Sequence, residues 1–265
     1  MTVRQLPLPE LTDACVRFGI PGVGLWRQPV QAYGVGAAAA LVRDAGLRVT
    51  TLCRGGFLTA LDADARAAAL ADNRAAIDEC VTLGTDTLVL VSGGLPDGER
   101  DLAAARGRIA DALGELAPYA GERGVRLAIE PLHPMFASDR CVVSTLDQAL
   151  ALAEGFPAEQ VGVVVDTYHV WWDDRAPAAV ARAGAAGRIH SFQLADWVTP
   201  LPAEVLNGRG LIGEGSVDLR HWRELVDAAG YDGPVEVELF NDELWKRDGE
   251  ELLRDVAERY VRHAA

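Results

Sequence analysis

Short runs of β-branched and small apolar residues alternate along this chain with longer segments of helical period, and most of the helical segments stop at a glycine. Strand-helix units repeated in this way pack as a parallel sheet with right-handed crossovers, because each strand must run back to the edge its predecessor left. The apolar periodicity predicts helices at 8–18, 29–45, 62–83, 101–121, 145–154, 176–183, 219–229 and 248–262. It predicts strands at 22–26, 47–53, 87–91, 125–130, 161–166, 188–194 and 235–240. Eight helices against seven strands leaves one strand short. Only Met1–Pro7 precede the first helix, so M-T-V-R-Q-L is expected either as a short, poor first strand or as the remainder of a truncated one.

A chain of 265 residues matches the usual size of a barrel of eight strand-helix units, and no linker or compositional break divides it. One α/β barrel domain over residues 1–265 is therefore expected. The formal net charge of −14 argues against a broad grip on nucleic acid or on an anionic membrane. The absence of a signal-like start or an apolar run of membrane-spanning length, together with four widely spaced cysteines, gives a cytoplasmic protein as the expectation. A small molecule is left as the expected partner, and barrels of this class often pair as homodimers.

The strand at Val161–Asp166 reads as buried on both faces and ends on Asp166, with His169 in the following loop. The same device recurs in L-A-I-E-P-L-H-P-M with Glu130 and His133, in I-H-S-F-Q-L-A-D-W with Gln193 and Asp196, and in V-E-V-E-L-F with Glu238. In parallel α/β folds the carboxyl ends of the strands are where ligands bind. Alternation along 188–194 puts Ser191 and Gln193 on one face and His190 and Phe192 on the other, so Gln193 is the better candidate for the lumen. Glu236 shares the Glu238 face but lies one step deeper, where a hydrogen-bonded structural acid is expected.

Carboxylates converging at one mouth repel one another unless a cation neutralises them. An oxygen-rich set suits Mn²⁺ or Mg²⁺, with Zn²⁺ or Co²⁺ as alternatives. Such an ion can hold two adjacent oxygens of a hydroxy-carbonyl compound and lower the cost of an enediolate, while a carboxylate beside it acts as base. Glu130 and Glu238, on nearly opposite strands, would let one acid remove a proton and the other return it.

Together L-A-I-E-P-L-H-P-M, V-V-V-D-T-Y-H-V-W-W-D, Q-L-A-D-W, R-G-L-I-G-E-G and V-E-V-E-L-F resemble, in this order, the sugar phosphate isomerase/epimerase family of xylose-isomerase-like TIM (β/α)8 barrels. The resemblance runs from about Leu11 to Tyr260. It implies Glu130, Asp166, Gln193 and Glu238 as ligands of one divalent ion, with Glu130 and Glu238 as the proton-transfer residues. It also implies His169 as a contact to a substrate oxygen and Arg209 as the loop arginine. Relatives usually carry His where this chain has Gln193.

Further candidates come from position alone. His133 follows a ligand strand, Trp172 of the Trp171-Trp172 pair could wall a substrate or simply pack under its loop, and Arg54 in C-R-G-G-F could meet a phosphate or carboxylate or pair with a neighbouring acid. The expected activity is isomerisation or epimerisation of a small sugar, sugar phosphate or hydroxy-keto acid. The rivals are a metal-dependent dehydratase acting on a sugar-derived ketone and an inactive barrel serving as a binding protein.

Overall fold

The computed structural model describes residues 1–265. Seven parallel strands follow one another in chain order around a nearly closed barrel: β1 (Gly22–Trp26), β2 (Arg48–Gly56), β3 (Thr87–Val91), β4 (Arg126–Glu130), β5 (Val161–Asp166), β6 (Ile189–Leu194) and β9 (Val235–Val237). Between β6 and β9 lies a two-residue antiparallel ribbon, β7 (Asp196–Trp197) with β8 (Arg209–Gly210), which periodicity could not have shown.

The helices fall close to the predicted segments: α1 (Leu8–Arg17), α4 (Ala63–Leu83), α5 (Leu102–Gly121), α6 (Leu146–Ala153), α8 (Ala176–Ala185), α9 (Leu219–Ala228) and α10 (Gly249–His263). The segment expected as one helix over 29–45 is two, α2 (Arg27–Tyr33) and α3 (Val35–Asp44), because Gly34 between them has φ +96° and ends the first turn sequence. A one-turn helix, α7 (Thr167–Val170), starts directly on Asp166. Side-chain caps begin most of the long helices: Asp62, Asp101, Thr145, Asp218 and Asp248 each accept from a backbone N–H of the first turn.

The core has two parts. A large cluster fills the space between the outward faces of the strands and the helices. A small one, Cys53, Val89, Ala128 and Val164 with Trp26 against it, fills the lumen. Small side chains inside and bulky ones outside are what the alternation in β4 and β5 requires.

Met1–Leu6 form turns and not the short first strand that the sequence left open. They cover the seam between β1 and β9 through side chains. Thr2 Oγ1 donates to Val237 O at 2.7 Å and accepts from Leu239 N at 3.1 Å, so one hydroxyl satisfies two groups on the open edge of the sheet. A cavity of about 1000 Å³ lies behind this segment, between α1, α10 and the two seam strands.

One strand in from the seam, Asn73 of α4 clamps the end of β2. Its Oδ1 accepts from Gly56 N at 2.6 Å and its Nδ2 donates to Gly56 O at 2.9 Å, in a fully buried setting. Asn73→Leu leaves both backbone groups without partners and should lower stability by roughly 3 kcal/mol in urea denaturation; a change below about 0.5 kcal/mol would show that the clamp is dispensable.

Candidate active site

Four acidic side chains enter the carboxyl-terminal half of the lumen from three strands, β4 and β5 side by side and β9 beyond β6. Glu130 ends β4, Asp166 ends β5, and Glu236 and Glu238 stand two residues apart on β9 and just beyond it. Glu130 and Asp166 are 4% and 0% exposed. Each offers a carboxylate oxygen within 4.8 Å of the other, a separation that two buried anions hold at low cost only with a shared proton or a cation.

The cation in the structure is Arg209, delivered by the β7–β8 ribbon. Its Nη1 donates to Asp166 Oδ2 at 2.9 Å and lies 3.0 Å from Glu238 Oε2, and the residue is 3% exposed. The guanidinium sits between the rings of Tyr168 and Phe240, each centred 5.0 Å away. Asp196, which the sequence offered beside Gln193, builds this loop: its two oxygens accept from the backbone N–H groups of Trp197, Gly213, Gly215 and Val217.

Burial pushes the Glu130 carboxyl well above the ordinary carboxylate range, and the negative neighbours Asp166 and Glu238 add to the rise. Burial likewise pushes Asp166 up to about 6, although Arg209 opposes it. Around Arg209 the surrounding acids outweigh burial and hold the guanidinium charged.

His169 is buried at the centre of the cluster. Its Nε2 lies 3.9 Å from both Glu130 Oε1 and Asp166 Oδ2, and 3.1 Å from Arg209 Nη2. The backbone N–H of His133 donates to its Nδ1 at 3.2 Å. Burial, with Arg209 and His133 adding to it, holds the ring well below its ordinary pKa, so it is neutral. Both ring nitrogens thus have a partner, Nδ1 the His133 N–H and Nε2 the Arg209 guanidinium.

Glu130, Asp166 and His169 offer one ligand atom each within 4.8 Å of one another, a candidate site for a divalent metal. The charges fit such an ion: Glu130, Asp166 and Glu238 carry three negative charges when ionised, and Arg209 returns one. The balance of two is what a divalent cation, or two protons, would supply.

The remaining predicted residues are placed as follows. Gln193 occupies the lumen, where its Nε2 donates to Glu236 Oε2 at 3.0 Å and its Oε1 is buried without a partner. His133 packs between Trp172 and Trp197, and Trp172, 37% exposed, donates from Nε1 to His169 O. Arg54 lies over the Phe57 ring at 4.0 Å and makes none of the ion pairs in the structure, so the neighbouring-acid pairing considered for it does not form. His190 points out of the lumen, with Nε2 at 2.9 Å from Ala158 O. The sequence reading overlooked Trp26, whose Nε1 donates to Glu238 Oε1 at 3.1 Å. The signal was its position at the end of β1, the rule that found the acids.

In comparison with known proteins, residues 12–262 match the family model described as xylose isomerase-like TIM barrel. A crystal structure of protein SMc04130 from Sinorhizobium meliloti 1021 is 44% identical with TM-score 0.96, covering 99% of this chain and 96% of that one. A 3-dehydroshikimate dehydratase of Pseudomonas aeruginosa is 33% identical over 165 residues, which are 60% of this chain but 24% of the dehydratase. An inosose isomerase of Halalkalibacterium halodurans is 26% identical over 152 residues, 56% of this chain and 51% of the isomerase. The matched segments thus span a quarter and a half of those two relatives.

The raised pKa of Asp166 carries a sign. An acid that holds its proton more tightly in the fold than in the unfolded chain contributes stability at low pH, and that contribution is lost as pH rises from about 4 to about 6. In metal-free protein, Asp166→Asn should therefore gain stability relative to the wild type across that interval, measured by urea denaturation at each pH. A difference that falls or stays flat would contradict the burial effect.

Proposed function

The chain belongs to the xylose isomerase-like TIM barrel family, and on that premise we propose that it is a divalent-metal-dependent isomerase or epimerase of a small sugar, sugar phosphate or hydroxy-keto acid. The observation that carries this reading is the pair Glu130 and Glu238, on strands separated by two others, with Arg209 and His169 between them.

Glu238 accepts from Trp26 Nε1 at one oxygen and is paired with Arg209 at the other, which fixes its carboxylate toward the mouth. It removes the proton from the carbon next to a carbonyl. Glu130, whose environment favours its protonated form, returns a proton from the other side. Arg209 Nε is buried without an acceptor, and a substrate oxygen between it and the His169 ring, which Arg209 Nη2 meets at 3.1 Å, would give it one. His133 and Trp172 line the approach, and Arg54, free of any acid, is placed to meet an anionic end of the substrate. Glu130 and Asp166, with Glu238 and the oxygen of Gln193, would hold the ion. Once bound it supplies Lewis-acid stabilisation of the charge that develops on the substrate oxygens.

A dehydratase is the second reading, supported by the 33% identity to 3-dehydroshikimate dehydratase. It would use the same base and differ in the fate of a β-hydroxyl, so product mass separates the two: isomerisation conserves it and dehydration loses one water.

Glu238→Gln should slow exchange of the substrate α-proton with solvent deuterium by about a thousandfold while the far-UV circular dichroism stays that of the wild type. Undiminished exchange in the folded variant would remove Glu238 from the proton transfer.

A further inference from the structure

We propose that Glu236 is a positioning residue for Gln193, turning its amide so that the carbonyl oxygen completes an all-oxygen cation position that prefers a hard ion such as Mn²⁺ over Zn²⁺. The proposal rests on the metal dependence in the functional reading above.

Gln193 stands in register with Asp166 on β5 and with Glu236 on β9, so these three side chains leave consecutive strands at one level and on one face. An amide has a donor end and an acceptor end, whereas an ionised carboxylate only accepts. Glu236 therefore selects the Nε2 end, at 3.0 Å, and forces Oε1 to the other side. That oxygen is buried and meets no donor. A buried acceptor left unpaired keeps the full cost of its lost hydration. On a row shared with Asp166, where negative charge is in excess, the partner that matches it is a cation.

Glu236 is itself held. Thr50 Oγ1 and Thr51 Oγ1 both donate to its Oε1, the latter at 2.8 Å. Gly24 makes room for it: a Cβ there would lie 2.9 Å from the same oxygen. Three residues from β1 and β2 thus fix the carboxylate that fixes the amide.

Distance alone would admit His169 as a nitrogen ligand, but both of its ring nitrogens are already engaged. A ligating imidazole offers a lone pair to the ion and donates its other N–H outward. In His169 the outer nitrogen accepts from the His133 backbone, and Nε2 is taken up by Arg209 Nη2 at 3.1 Å. What remains is Glu130, Asp166, Glu238 and Gln193, all oxygen donors, the set that suits Mn²⁺ or Mg²⁺ and gives up the advantage Zn²⁺ has with imidazole.

The test is calorimetric titration of the full chain, stripped with EDTA, with MnCl₂ and separately with ZnCl₂. Gln193→His should raise the Zn²⁺-to-Mn²⁺ affinity ratio at least about tenfold. Glu236→Gln should weaken Mn²⁺ binding by about 10–100-fold in the wild-type background and add nothing in a Gln193→Ala background, since it acts through the amide. Equal losses in both backgrounds would overturn the positioning role, and an unchanged ratio in Gln193→His would overturn the oxygen-only set. Either result, obtained on a wild type that binds Mn²⁺, leaves the isomerase reading standing. A wild type that binds no divalent ion overturns both. If Glu236→Gln does not fold, Thr51→Val loosens the same carboxylate from outside the site and should weaken Mn²⁺ binding in the same direction.

Discussion

Concentrating acids in a dry lumen is the constraint to which the rest of this barrel answers. Glu130 and Asp166 are nearly inaccessible to water and offer oxygens within 4.8 Å of each other, and Glu238 adds its charge to theirs. Desolvating even one unpaired carboxylate costs several kcal/mol. Each neighbouring feature reduces that cost: the guanidinium of Arg209, the indole of Trp26 on Glu238, the backbone N–H of Tyr168 on Asp166. None removes it, because one positive charge faces three negative ones.

How Arg209 reaches the cluster explains a part of the fold that looks irregular. The long connection between β6 and β9 folds back as the β7–β8 ribbon, and Asp196 gathers four backbone N–H groups to set its return. Asn241 Nδ2 holds Arg209 O, and two aromatic rings flank the guanidinium. So much scaffolding around one arginine is what an enclosed charge requires, since a mobile one would leave Asp166 and Glu238 unpaired.

The barrel was legible because its signals are local and repeated: β-branched runs, helical periods, stopping glycines. Parity along β6 separated lumen-facing Gln193 from outward His190 for the same reason, as alternation is a property of the backbone. It also set Glu236 below Glu238, where Thr50 and Thr51 now hold it. What escaped was decided by contacts between residues far apart in sequence. Trp26 meets Glu238 across 212 residues, and Met1–Leu6 close the seam through one threonine hydroxyl, which no strand propensity encodes. The resemblance that implied Gln193 as a ligand could not show which end of its amide would be left without a partner. That depended on Glu236 arriving in register from another strand.

The lumen therefore has two levels with different logic. At the lower one, Glu236 is matched by two hydroxyls and an amide, and the backbone of β1 gives way to it at Gly24; this level is satisfied and specifies a single arrangement. At the upper one, Arg209 Nε is a buried donor without an acceptor, and the oxygen of Gln193 is a buried acceptor without a donor. A fold selected only for stability would pair these groups with each other or replace them. That they are kept apart, each held by a satisfied neighbour, is the pattern of a site whose missing partners come from a ligand, with its oxygens for the donors and a cation for the acceptors.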